Sequence, residues 1–512
     1  MTIFEMLLQG LLHSLTPVNI LAATVGVLLG TLAGVLPGIG ISGTIALLLP
    51  LSYGMDPLTA VILVGGIYYG SQYGGSTTSI LLNIPGEPTS LITCMEGHAM
   101  AKKGRAGAAL GIAAIGSFIG GTLGIIALTF FAPPLADLAV RFGSPEYFAL
   151  ALLGLVTLAN VTGGSPLKSG LMVMVGIMLG TVGFDPVFAA KRFTFGITDL
   201  ERGIDFIVFA MGAFGIAEVL LTVSEGWTAK EIAKVKFREV YPNRQELKRS
   251  KGSIFRGSVL GFLISLIPGP STFLATLASY VVEKKVSKYK DEFGKGAIEG
   301  VAGPETANNA GIYAQLVPAL ALGIPFSPAF ALLLSALMIH GVTPGPLMMK
   351  LHPDVFWGLI GSMYVANVLL LIFNLPLIPL WASMLKVRAE FLMAIITVVT
   401  YVGAFALNNS IFDLWLLVIF GILGYLMKLA NYDAAPVTVG LFLGPLVERC
   451  LVQSMVMFNG NFMLIFTRPF AGTMIIIAIL ICLVRIVVWA IRRIRSSREN
   501  STTNPADTVT LS

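Results

Sequence analysis

GGIYYGSQYGGSTTSILLNIPGEP, residues 65–88, is a run of glycines, hydroxyls and amides inside a very apolar sequence. Ser71, Gln72, Ser76, Thr77, Thr78, Ser79 and Asn83 give it far more polar groups than a lipid-facing helix needs. At membrane depth, irregular backbone is tolerated only where protein or a water-filled cavity surrounds it. The stretch therefore predicts a broken helix lining a solute pathway. A second one, GVAGPETANNAGIYAQLVPALALGIPFSP, follows at residues 300–328. Paired interruptions at matching positions of two halves are the sequence mark of a carrier's binding site.

The surroundings fix the class. The 512 residues are 55% hydrophobic and 12% charged, with mean hydropathy +0.85. Soluble domains carry about 25% charged residues, so the chain reads as an all-α polytopic membrane protein. The 56 Gly and 27 Pro suit close-packed, interrupted helices. Net charge is +6, and the basic residues cluster in loops, which marks orientation rather than a nucleic-acid surface. Cys94, Cys450 and Cys482 are dispersed and suggest neither a disulfide framework nor a metal site. No signal peptide is evident, and residues 1–16 are expected as an interfacial helix or the start of a span.

About 11–13 membrane segments are expected, several too short for the roughly 20 residues a crossing requires. They divide into a first repeat at 1–223, a basic cytoplasmic linker at 224–252 and a second repeat at 253–452. An extra membrane segment at 453–491 and a basic, disordered cytoplasmic tail at 492–512 complete the chain. LPGIG at 36–40 pairs with IPGP at 267–270, and LLNIP at 81–85 with ALGIP at 321–325. Lys102, Lys103 and Arg105 mark one loop of the first half, while Lys284, Lys285, Lys288, Lys290 and Lys295 mark a non-equivalent loop of the second. Since basic loops stay cytoplasmic, the halves read as inverted repeats, with the N-terminus outside and the linker and C-terminus inside.

Site candidates follow from the breaks. Gly38 and Gly40 with Ser42 and Thr44, and Gly269 with Ser271 and Thr272, flank proline–glycine interruptions that free backbone groups for an ion. Sodium takes oxygen ligands, so carbonyls and hydroxyls near Gly38 and Gly269 suit it. Gly75, Ser76, Thr77, Thr78, Asn83, Asn308 and Asn309 supply uncharged donors and acceptors for a carboxylate. Glu305, an intramembrane carboxylate, is a candidate for a coupling ion or proton; Glu87 reads better as a wet-loop residue. Gly26, Gly30 and Gly34, like Gly116, Gly120 and Gly124, have the small-xxx-small spacing of helix packing. HExxH, GxSxG and phosphate-loop motifs are absent.

GVLPGIG at 34–40, YYGSQYGGSTTSILLNIPG at 68–86, GPETANNA at 303–310 and GIP at 323–325 resemble the large permease subunit of the bacterial tripartite tricarboxylate transporters. After the second break this chain has Pro325-Phe326-Ser327, where that family usually has a small residue and glycine. The resemblance covers nearly the whole chain. It implies a multi-pass protein of the bacterial inner membrane that takes up di- or tricarboxylates with Na+ or H+. It also implies two partners, a small four-helix membrane subunit and a periplasmic solute-binding protein, and no cofactor beyond the coupling ion. An intramembrane enzyme acting on a lipid-linked substrate and a passive anion channel are the alternatives.

Overall fold

The computed structural model describes residues 2–35, 40–83, 88–161, 166–185, 187–188, 190–225, 240–267, 271–384 and 389–484. The first half comprises α1 (Ile3–Ser14), α2 (Pro17–Val35), α3 (Gly40–Leu48), α4 (Pro57–Leu82), α5 (Leu91–Lys102), α6 (Ala106–Ala139), α7 (Ser144–Val161) and α8 (Pro166–Gly180). A two-stranded antiparallel hairpin, β1 (Gly183–Phe184) and β2 (Lys191–Arg192), follows. Then come α9 (Phe206–Ala210), a π-helical stretch Met211–Ile216 and α10 (Ala217–Glu225). The second half comprises α11 (Arg244–Ser265), α12 (Ser271–Val286), α13 (Glu299–Leu322), α14 (Pro328–Ile339), α15 (Met348–Leu351), α16 (Pro353–Asn374), α17 (Ile378–Met384), α18 (Ala389–Asn408), α19 (Ile411–Leu429) and α20 (Ala435–Met457). A last helix, α21, spans Pro469–Val484.

Among the described residues six helices are long and apolar enough to cross a membrane, among them α2, α6, α16, α19 and α20. Helical throughout but for one short hairpin among the described residues, the chain is an all-α polytopic membrane protein. Its two centremost helices are not among the six. Every residue of α4 from Leu58 to Leu81, and every residue of α13, is buried. A helix buried all round belongs at the centre of a bundle, where its polar groups meet protein instead of lipid.

Both stretches expected as broken helices are continuous, which corrects the reading of residues 65–82 and 300–322. Glycine weakens a helix without forbidding it, and here Gly66, Gly70 and Gly74 of α4 allow close approach to the α2 backbone. The backbone of α2 lies against α4 so tightly that a Cβ on Gly30 would fall 2.2 Å from the Ile67 carbonyl oxygen, and one on Gly34 2.2 Å from that of Ser71. Serines in α4 bond back within the helix, Ser71 Oγ to the Ile67 carbonyl (2.9 Å) and Ser79 Oγ to that of Gly75 (2.8 Å). In α13, Pro304 and Pro318 are accommodated inside the helix. The interruptions come later, at the repeated LLNIP and ALGIP motifs. Asn83 (φ 57°) and Gly323 (φ 70°), equivalent positions of the two, are both left-handed C-caps. Those are the residue types that enter this region most readily.

The two halves also pack alike. Gly26, Gly30 and Gly34 meet α4 at Leu63, Ile67 and Ser71, in the same order along both helices, so α2 and α4 run parallel. Gly257 and Gly261 meet Gly303 and Ala307, so α11 and α13 do the same. Between each parallel pair lies one short return helix: α3 has 9 residues and α12 has 16, about 14 and 24 Å at 1.5 Å per residue. Both fall short of a hydrocarbon core of about 30 Å. Gly116, Gly120 and Gly124 of α6 meet Ala302, Thr306 and Ala310 of α13. Both glycine stripes thus serve packing, as their spacing predicts.

Other differences are local. A helix, α5, occupies part of the stretch expected as loop before Lys102; it is short and polar enough to escape a hydropathy reading. Helix α11 starts at Arg244, inside the expected linker, behind an Asn243–Glu246 capping box. Helices α16 and α17 are separate, with Pro376 between them and its missing donor favouring the stop. Residues 226–239, the middle of the expected linker, and 485–512, with the expected tail, lie outside the described residues.

Candidate functional site

The polar face of α4 repeats at helical spacing, with Tyr69, Gln72 and Ser76. That of α13 carries Glu305, Asn308, Asn309 and Tyr313. These faces meet through side chains alone. The rings of Tyr69 and Tyr313 lie 5.4 Å apart, Asn308 Nδ2 reaches Gln72 Oε1 at 3.4 Å, and Ser76 Oγ donates to Glu305 Oε2 at 2.8 Å. The partners advance along α4 as they retreat along α13, so the two helices run antiparallel.

Glu305 is the focus. It is 1% exposed. One carboxylate oxygen accepts from Thr93 Oγ1 of α5, and the other from Ser76 Oγ and, at 3.4 Å, from Ser117 Oγ of α6. Asn309 Nδ2 extends the network to Ser117 Oγ (2.7 Å) and to the Glu305 carbonyl (3.1 Å). Among the described residues no Lys or Arg pairs with this carboxylate. A cavity of about 20 Å³ adjoins it, lined by Tyr73, Ser76, Thr77, Ser117 and Asn374. Roughly 10–15 Å³ suffices for one water-sized particle. Asn308 Oδ1 and the Tyr69 hydroxyl, both buried, have no hydrogen-bond partner among the described residues. A carboxyl group, several hydroxyl oxygens and an amide oxygen form an oxygen-rich donor set suited to a hard monovalent cation or a proton.

Thus Ser76, Thr77, Glu305, Asn308 and Asn309 come together. Gly75 lies one residue away, accepting from Ser79. Thr78 faces α2, donating to the Val35 carbonyl at 2.8 Å. Ser271 and Thr272 form a separate cluster further along α13: Gln315 Nε2 donates to Ser271 Oγ at 3.1 Å, and Ser271 Oγ to the Ser265 carbonyl at 3.3 Å. Ten residues separate Glu305 from Gln315, about 15 Å of helix. Thr44 is buried on α3, with Ser42 half-buried and Gly40 at its first turn. Asn83 is exposed at its helix end, apart from the cluster. Gly38, Gly269 and Glu87 lie outside the described residues.

Sequence reasoning named Gln72 only as one polar group of the 65–88 stretch, and missed Thr93, Ser117 and Gln315. Ser117 follows Gly116 of the α6 glycine stripe, which a face-by-face reading would have flagged. Thr93 has no such signal. It also missed Glu96 of α5, fully buried, which gathers the chain entering α13. Its carboxylate accepts from the backbone N–H of Gly294, Gly296 (2.8 Å) and Ala297 (2.9 Å) and from the Tyr280 hydroxyl (2.7 Å). Glu96→Ala would leave four donors without this acceptor, two of them, the Ala297 N–H and the Tyr280 hydroxyl, buried, at about 1–3 kcal/mol for each buried one. The expected outcome is a marked fall in the thermal midpoint of the purified protein; a midpoint equal to wild type would show that the loop does not depend on Glu96.

The chain matches the tripartite tricarboxylate transporter TctA family over residues 20–439. An uncharacterized 52.8 kDa protein from the TAR-I ttuC' 3' region of Agrobacterium vitis is 44% identical over 499 residues, covering 98% of each chain. An uncharacterized protein from the TAR-II ttuC' 3' region of the same organism is 41% identical over 232 residues, 45% of this chain and 96% of that one. No solved structure matches. With a family match across most of its length, and a relative alike from end to end, this multi-pass membrane protein belongs to the tripartite tricarboxylate transporter TctA family.

Proposed function

We propose that this chain is the permease subunit of a binding-protein-dependent carrier that imports di- or tricarboxylates across the bacterial inner membrane, driven by Na+ or H+. Membership of the family makes it a tripartite tricarboxylate transporter component. The coupling, the small four-helix membrane subunit and the periplasmic binding protein are the finer part of the proposal. The observation that carries it is the buried network on Glu305, placed where the central helices of the two halves face each other.

Two further features support the reading. Equivalent helices of the halves oppose one another. α4 and α13 run antiparallel, and so do α6 and α16, because Asn367 bonds the Phe118 carbonyl (2.9 Å) while Tyr364 meets Thr129 (3.2 Å). Repeats inverted about an axis in the membrane plane require this opposition. The basic loops also gather at one end. Lys103 Nζ donates to the Lys295 carbonyl (2.6 Å), and Arg105 pairs with Glu246 near the start of α11. That end is cytoplasmic by the positive-inside rule. The first turn of α13 then faces the cytoplasm and its last the periplasm, and α2 enters from outside.

Ser76→Ala and Asn308→Ala test the assignment. Each removes a neutral hydrogen-bonding group worth about 0.5–1.5 kcal/mol, so uptake by the complete transporter in proteoliposomes should fall roughly two- to tenfold while the protein still folds. Unchanged uptake in both variants would remove this cluster from the pathway.

A further inference from the structure

A cavity of about 960 Å³ opens between α7, α14, α20 and the loop that precedes α9. It lies at the end of α13 opposite the basic loops, with Leu322 and Gly323 in its wall. Glu305 is 17 residues back along α13, about 25 Å away, so this is a different place from the buried network. Its polar groups include Ser144, Arg202, Thr343, Arg449 and Gln453, beside Glu201. Most charges at this end are neutralised: Arg202 by Asp413 (2.7 Å), Lys191 by Glu201 (2.6 Å), Arg468 by Glu146 (2.8 Å), and Arg192 by Asp185 (3.1 Å) and Glu448. Arg449 differs, for among the described residues it pairs with no carboxylate.

We propose that this cavity is a periplasmic capture site for a small organic acid, with Arg449 as the group that binds a carboxylate. The proposal rests on the transport reading and deepens it by adding a first docking point before the buried network. Ligand pockets of small molecules span roughly 300–1,000 Å³, mostly apolar with a few convergent polar groups. Guanidinium offers a planar fork of donors matching a carboxylate. Ser144, whose hydroxyl donates to Gln453 Oε1 at 2.8 Å, and Thr343 provide hydroxyls for a second carboxylate or a hydroxyl of the acid. A phosphate-bearing lipid headgroup presents similar anionic oxygens, and the test separates the two.

The full transporter, with both partner subunits, is reconstituted in zwitterionic lipid with or without phosphatidylglycerol. Uptake of a citrate, succinate and malate mixture is measured for wild type, Arg449→Gln and Arg449→Lys. Loss of one charge-assisted bond should raise KM about tenfold or more in Arg449→Gln, with maximal rate retained and part of the loss recovered in Arg449→Lys. Separately, Gln453→Cys is labelled by a membrane-impermeant thiol reagent from outside. At acids ten times their Kd, mass action leaves about a tenth of the sites open, so labelling should slow roughly tenfold. An unchanged KM with labelling indifferent to the acids overturns the proposal, as does labelling that responds to phosphatidylglycerol alone. Protection by the acids without any wild-type uptake would instead overturn the transport reading and leave the capture site standing.

Discussion

Glu305→Gln should abolish the proposed concentrative uptake, by at least about 100-fold, while leaving a folded protein in the membrane. The substitution keeps the shape of the side chain and one oxygen that still accepts; the new amide NH2 can only donate, so the hydroxyl facing it, Thr93 on one side or Ser76 and Ser117 on the other, must turn to accept, and little of the packing is lost. What disappears is the carboxylate on which these donors converge. A unit charge at 4 Å from a cation is worth about 4 kcal/mol at an effective dielectric of 20, or roughly three decades of cation affinity. The buried Asn308 and Tyr69 oxygens remain, but neutral oxygens alone do not replace a charged ligand where affinity follows ligand charge. Counterflow exchange of preloaded acid is the second measurement. A variant that still exchanges acid but no longer accumulates it has lost coupling alone, the outcome expected for an ion site. Accumulation at the wild-type rate would exclude Glu305 from coupling.

Composition and spacing made much of this molecule legible before any coordinates. Low charge, high hydropathy and glycine stripes at four-residue intervals fix a polytopic helical bundle, and Gly26, Gly30 and Gly34 pack against α4 as that spacing predicts. The LLNIP and ALGIP repeat is also meaningful, since both motifs end a central helix in the same left-handed cap. The expectation of broken helices at 65–82 and 300–322 failed for a physical reason. Clustered glycines and hydroxyls signal either irregular backbone or two helices pressed together, and sequence alone does not distinguish them. The Glu305 network is assembled from α4, α5, α6 and α13, so Ser76 and Glu305, bonded directly, are 229 residues apart in sequence. Ser76, Asn308 and Asn309 announce themselves by clustering. Thr93 and Ser117 are isolated in sequence and become partners only through packing.

The second large effect concerns that packing, and it separates the two readings of glycine directly. In Gly30→Ala the new Cβ would sit 2.2 Å from the Ile67 carbonyl oxygen and 2.8 Å from its Cα, so only backbone movement can make room. Alanine stabilises a helix by about 1 kcal/mol relative to glycine, and overpacking costs typically 1–3 kcal/mol or more. The clash is with main chain, which has no rotamer to yield, so the penalty wins. Gly34→Ala meets the same obstacle at the Ser71 carbonyl, 2.2 Å away, and the pair Gly30→Ala/Gly34→Ala should lose at least about 3 kcal/mol. Gly170→Ala in α8 is the internal control, since a Cβ there meets nothing within 4 Å and only the helix-forming gain of about 1 kcal/mol applies. Thermal midpoints in detergent should therefore move in opposite directions, down for the α2 variants and level or up for Gly170→Ala. Because α4 carries Ser76 on the far side of this contact, prising α2 away also displaces a donor to Glu305, and uptake should fall with stability. Equal midpoints for Gly30→Ala and Gly170→Ala would mean that α2 and α4 are not in close contact, and with that the placement of the central helix would fail.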